Sequence, residues 1–89
     1  MPQAHADPDE LEEFAVQLGS YLEEVDSLTC ILQQRFAGLS DTWQDQEQQR
    51  FADEFDQLTS TLRRFNAAVE PLIPHLRAKA SHLRDYLSP

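Results

Sequence analysis

Two long stretches in which apolar residues recur at steps of three and four leave this chain few folds. The first runs Leu11, Phe14, Leu18, Tyr21, Val25, Leu28, Leu32 and Leu39. The second runs Phe51, Phe55, Leu58, Leu62, Phe65, Val69, Leu72, Leu76, Leu83 and Tyr86. Alternating three and four is the heptad spacing that keeps one stripe of an α-helix facing a neighbour. Arg35 and Lys79 are the polar interruptions. Ala15, Leu22 and Phe36 widen the first stripe on one side and Ile31 on the other, and a stripe that wide faces more than one helix. Between the runs, Gly38-Leu39-Ser40-Asp41-Thr42-Trp43-Gln44-Asp45 holds the single tryptophan and the one interior break in periodicity. The pattern predicts an all-α, antiparallel helical hairpin forming one domain over residues 1–89. Its first helix covers about 8–37, the turn 38–45 and the second helix about 46–87.

The helix ends carry their own signals. Asp7 followed by Pro8 is an N-cap with proline at the first helical position, and Asp9 and Glu10 suit the helix dipole. Gly38 reads as a C-terminal stop. Asp45 reads as the second N-cap, with Gln48 three residues on completing a box. Pro71 and Pro74 each remove a backbone donor inside the second helix, so a kink is expected at 70–74.

A turn centred near Asp41 and Thr42 sets a testable register. It places Leu32 against Phe51, Leu28 against Phe55, Val25 against Leu58 and Arg35 against Gln48, polar meeting polar. The same register carries the end of the second helix past the start of the first. Ile73, Leu76, Leu83, Tyr86 and Leu87 then form a seam that either bends back at the prolines or docks on another chain. Two hairpins joined there would make a four-helix bundle, which suits the size of the chain. Eighty-nine residues lie near the lower limit for a self-sufficient core.

Charge is unevenly divided. Residues 1–47 carry eleven acids and one base, and residues 48–89 five acids and six bases. Antiparallel folding brings the acidic first half beside Arg63, Arg64, Arg77 and Lys79. The net charge of −9 and the lack of a basic stripe disfavour nucleic acid and anionic membrane as partners. No apolar run is long enough to cross a bilayer, and the first nine residues have neither the basic start nor the apolar core of a cleavable signal. One cysteine, Cys30, excludes an internal disulfide.

Residues able to do chemistry are present without the company chemistry needs. His75 and His82 lie about 10 Å apart along one helical stripe, too far to share a metal without further ligands. The acidic clusters Glu12-Glu13, Glu23-Glu24-Asp26 and Asp53-Glu54-Asp56 read as solvated faces. Cys30 sits opposite the apolar stripe among acids, which oppose a reactive thiolate. The expectation is a protein that is not an enzyme, with no catalytic residue, metal or cofactor. Trp43 has two equally weighted readings, as an anchor for a partner or as a cover for its own hairpin's open end.

A long helix, a turn holding Trp-x-Gly and a second long helix in so short a chain resemble the WXG family of small helical-hairpin proteins, associated with type VII (early-secretory-antigen type) secretion. Here the motif reads Trp43-Gln44-Asp45, with Asp45 in the glycine position, and Phe51 follows at a spacing where the family often has an aromatic. The resemblance implies a non-enzymatic protein acting by protein–protein association. It implies pairing with itself or a paralogous hairpin, and engagement of a larger secreted protein or a secretion ATPase. It points to Trp43, Asp45 and Phe51 as the turn motif and partner-binding residues. It also implies synthesis in the cytoplasm and export without a cleavable signal. The family's C-terminal signature, a tyrosine with an acid four residues later, is not matched by Tyr86 or Tyr21. That departure favours the alternative, a cytoplasmic coiled-coil adaptor or helical subunit that is not exported.

Overall fold

The computed structural model describes residues 6–87, all helix apart from caps and turns, as an elongated body 67 × 23 × 16 Å. Helix α1 spans Pro8–Leu39, α2 Gln46–Val69 and α3 Leu72–Leu87. The Asp7 carboxylate accepts the Asp9 N–H at 2.9 Å, so the cap bonds inside its own first turn. Pro8 stands at the first helical position, where its missing N–H costs nothing. At the other end α1 does not stop at Gly38 but runs to Leu39 with no residue at positive φ. A short run of turns closes it instead, with the N–H groups of Thr42 and Trp43 both reaching the Leu39 carbonyl, at 3.0 and 2.8 Å. The Ser40 hydroxyl donates to the Ala37 carbonyl and the Gln44 side-chain amide to the Ser40 carbonyl. These are the orphan acceptors that a helix C-terminus otherwise leaves to water.

The prolines bend the second arm, dividing it into two helices joined by the two-residue turn Glu70-Pro71. Glu70 keeps helical dihedrals, and its carbonyl takes the Ile73 N–H at 3.2 Å. In an unbroken helix that carbonyl would take the N–H of residue 74, which Pro74 lacks. Pro74 therefore falls in the first turn of α3, where no donor is needed. The heptad phase passes through the bend undisturbed, and α3 lies against α1 along with α2.

The internal seam follows the heptad, but one column round from where the largest side chains point. On α1 the buried and half-buried positions are Pro8, Leu11, Ala15, Leu18, Leu22, Val25, Thr29 and Phe36, joined by Glu12, Gly19 and Gln33 on one flank. On α2 and α3 they are Gln48, Ala52, Phe55, Thr59, Leu62, Asn66, Val69, Ile73, Leu76, Ala80 and Leu83, an unbroken series of fours and threes. Ala15, Thr59 and Ala80 are the most completely buried. Thr59 satisfies its hydroxyl on the Asp56 carbonyl at 3.0 Å, and the half-buried Thr29 bonds the Val25 carbonyl at 2.6 Å. Both hydroxyls thus enter the seam without an unmet donor.

This corrects the expected register. Phe36 packs on Phe51 and Phe55, with ring centroids 5.4 and 5.5 Å apart, where Leu32 and Leu28 were expected to meet them. Arg35 and Phe51 are exposed, so no Arg35–Gln48 layer forms in the seam. The arms are slid by about two helical turns relative to the expectation, which rested on a turn centred near Asp41 and Thr42. The residues between the helices instead form hydrogen-bonded turns off the end of α1, with Trp43 packed on Phe36 and Phe51. The slide brings α3 alongside the start of α1, so Leu76 and Leu83 are half-buried within the chain and do not overhang it. Residue size sets the separation of the arms. Alanines and Gly19 let α1 approach α3 closely, while aromatics hold α1 and α2 apart at the turn.

Candidate partner-binding surface

The seam uses only part of each helix's apolar arc. On α1 the neighbouring column is Phe14, Tyr21 and Leu28; on α2 and α3 it is Phe51, Leu58, Phe65, Leu72 and Tyr86. All eight are at least half exposed, Leu28 at 60% and Tyr86 at 85%. Val16, Ile31, Leu32, Leu39 and Leu87 are exposed as well.

Ion pairs fix which way these columns face. Arg84 holds both Asp9, at 2.8 Å, and Glu12, and Arg77 reaches Glu12 at 3.7 Å. The column Glu12-Gly19-Asp26-Gln33 therefore lies beside the column Arg63-Glu70-Arg77-Arg84 on one side of the hairpin. Helical periodicity then places the Phe14 and Phe51 columns together on the opposite side. One face is polar, with a shallow groove of about 490 Å³ over Gly19, Leu22 and Ile73. The other is a continuous apolar strip. Scattered exposed leucines are ordinary, but a contiguous strip of aromatics and leucines along a whole face marks an interaction surface.

Electrostatics acts mainly at the polar face. The Arg84 guanidinium, through its hydrogen bond and its charge, holds the Glu12 carboxyl below its ordinary value of 4.5, with a smaller contribution from Arg77. Hydrogen bonds to Asp9 and Glu12 in turn raise Arg84. A carboxyl lowered by folding stabilises the fold above its unfolded value, and that contribution is lost as pH falls through the lowered one. Glu12→Gln should therefore narrow the stability gap between about pH 6 and pH 3, as read by urea unfolding at each pH. These groups are on the surface, so the expected difference is small and shrinks with added salt.

At the turn, Trp43 is half-buried, edge-on to Phe36 with centroids 6.4 Å apart and 6.3 Å from Phe51. Phe51 stacks on Phe55 at 5.9 Å. Trp43 thus covers the open end of its own hairpin while keeping part of its ring in solvent. Asp45 has an extended backbone with φ −132°, and its carboxylate accepts the Gln48 N–H at 2.9 Å. The third motif position here needs a cap and no left-handed conformation, which explains why an aspartate serves where glycine is usual. Ile73, Leu76 and Leu83 face α1, whereas Tyr86 and Leu87 are exposed. His75, His82 and Cys30 are exposed too.

What sequence reasoning missed is the division of the arc. Phe14, Tyr21, Leu28, Leu58, Phe65 and Leu72 lie on the outer face, while Ala15, Thr59, Asn66 and Ala80 carry the contact between arms. The signal was present as a second, parallel heptad column of small residues. Small side chains weigh little in a hydrophobic pattern, yet they permit the closest helix approach.

Among the described residues no helix is long and apolar enough to cross a membrane, and no group of three or more metal-ligating side chains gathers. Comparison with curated proteins and with solved structures returns no match. The model of one family, described as WXG100, proteins of 100 residues with WXG, matches residues 3–86. Members of that family are type VII secretion-associated helical hairpins that associate with other proteins and are not known as enzymes. With a bent hairpin turning on Trp43 and a match over nearly its whole length, the chain belongs to the WXG100 family.

Proposed function

We propose that this protein works by association through its apolar strip, packing against a second helical hairpin to complete a four-helix bundle within a type VII-like secretion system. The observation that carries this reading is the strip itself, Phe14, Tyr21 and Leu28 beside Phe51, Leu58, Phe65 and Leu72, solvated in the lone chain. Fully burying a side chain of this kind is worth about 1.5–3 kcal/mol, and half of each surface is still available. Trp43, Asp45 and Phe51 at the turn and Tyr86 and Leu87 at the far end lie at the two tips of this face. There a larger secreted protein or a secretion ATPase could read the assembled bundle. Export would proceed without a cleavable signal.

Leu58→Asp with Phe65→Asp tests the strip without touching the seam. Light scattering should report a hairpin that no longer associates, while circular dichroism keeps its helical signal. If the unaltered protein stays a lone hairpin at roughly 100 µM and co-expressed paralogous hairpins fail to bind it, the reading is wrong. Blotting of culture medium against cell extract addresses export, and retention in the cell would favour an unexported adaptor.

A further inference from the structure

The polar face holds a groove that neither the seam nor the ion pairs use. It runs between α1 and α2 from the turn to the bend, as two cavities joined by a narrow neck. The cavity nearer the bend, of about 490 Å³, has Glu23, Asp26 and Glu70 on its walls. The cavity nearer the turn, of about 390 Å³, sets Asp53 and Asp56 beside the half-buried rings of Phe36 and Phe55. Arg63 and Asn66 line the neck, which encloses only about 20 Å³.

Acids along a helix are ordinarily a solvated face, and these carboxylates alone would be no more than that. Two further observations set the groove apart. The side-chain oxygen of Asn66 is enclosed and has no hydrogen-bond donor. A buried acceptor without a partner destabilises the protein that carries it, until some group brings a donor. The terminal torsion of an asparagine is soft, so a donor entering the neck can draw that oxygen out to meet it. At the other end Phe36 and Phe55, with ring centroids 5.5 Å apart, give the acidic cavity an aromatic floor. Rings and carboxylates together suit a flat, delocalised cation. Among the described residues the ion pairs all belong to Arg77 and Arg84 beyond the bend, so no base occupies the groove's acids.

We infer that this groove docks an extended segment of a partner protein carrying two arginines about five residues apart. Its walls offer acceptors and ring faces, and arginine combines five donors, no acceptor and a plane that stacks on rings. The spacing follows from the helix. From Phe55 to Asn66, eleven residues of α2 rise about 16 Å, which an extended chain covers in about five residues. Arg63, the one base lining the groove, falls between the two ends, where it suits uncharged hydroxyl residues in the middle of the segment. The groove lies opposite the apolar strip and stays open whether or not that strip is covered.

Calorimetric titration of the full chain at low salt with the capped hexapeptide Arg-Ala-Ser-Ser-Ala-Arg tests this. It should bind about tenfold more tightly than Arg-Arg-Ala-Ser-Ser-Ala, which has the same charge at the wrong spacing. It should exceed the version with both arginines replaced by lysine by a similar factor. Equal affinity for the three peptides, or for spermine, would show a response to charge alone and overturn the arginine reading. No binding at about 1 mM peptide would overturn the groove as a docking site. Asp53→Asn with Asp56→Asn should weaken binding about tenfold at an unchanged melting temperature. Asn66→Leu should weaken it too, with a melting temperature level or higher, because it removes an acceptor that the free protein leaves unmet. A lower melting temperature with binding unchanged would make Asn66 a seam residue and overturn its part in docking.

Discussion

Phe36→Ala should lower the unfolding free energy by about 2–3 kcal/mol, measured by urea unfolding at fixed protein concentration. Full truncation of a buried phenylalanine costs about 3–5 kcal/mol, and Phe36 is half-buried, which sets the lower figure. The loss is larger than its exposure suggests because three rings lean on it. Phe55 and Trp43 meet it edge-on and Phe51 at a tilt. Removing Phe36 deprives all three of their common neighbour, and such aromatic contacts contribute about 0.5–1.5 kcal/mol each beyond buried area. The tryptophan emission should shift to longer wavelength as Trp43 gains water. Trp43→Ala should cost less, since Phe36 keeps Phe51 and Phe55.

Ala80→Leu should destabilise by about 3 kcal/mol, the upper part of the range for forcing methylenes into a packed contact. Ala80 is fully buried where α3 lies on α1, and Ala15 is equally enclosed there. A leucine adds three carbons where Ala80 is already fully enclosed, which pushes α3 away from α1. Lifting α3 also separates Arg84 from Asp9 and Glu12. The separation can be followed independently as faster amide exchange from Ile73 to Arg84, with α2 protected as before. Ala80→Gly makes the opposite change in volume and should cost no more than about 1 kcal/mol, chiefly helix propensity. Unequal losses from the two would identify close approach, and not helix formation, as what Ala80 supplies.

The hairpin was legible because heptad steps, caps and proline positions are local properties. Asp7, Asp45 and Pro71 each announce a boundary by their own chemistry. The register was not legible, since it depends on how the residues between the helices spend their length, and their turns and the packing of Trp43 on Phe36 and Phe51 follow from no spacing rule. The same error moved the unsatisfied surface. A slide of two turns gives Leu76 and Leu83 a partner within the chain and transfers the need for one from the far end to a whole side. Reading the side correctly would have required giving Ala15 and Ala80 more weight than Phe14 and Phe65. Hydrophobicity ranks them the other way, because it measures what a residue gains from leaving water and not how closely it lets a backbone approach. The Asp45 cap shows the reverse case, in which one residue's own chemistry accounts for the departure from the family motif.

For the export proposed above, the 67 × 23 × 16 Å outline bears on what a channel would have to pass. A stiff rod threads an aperture by its section, and its length sets only how long it occupies the bore. A lone hairpin presents two helices abreast, whereas a paired one presents four, roughly doubling the area to be cleared while leaving the length little changed. Any conduit that moves the protein without unfolding it must therefore be gauged to the number of hairpins carried at once.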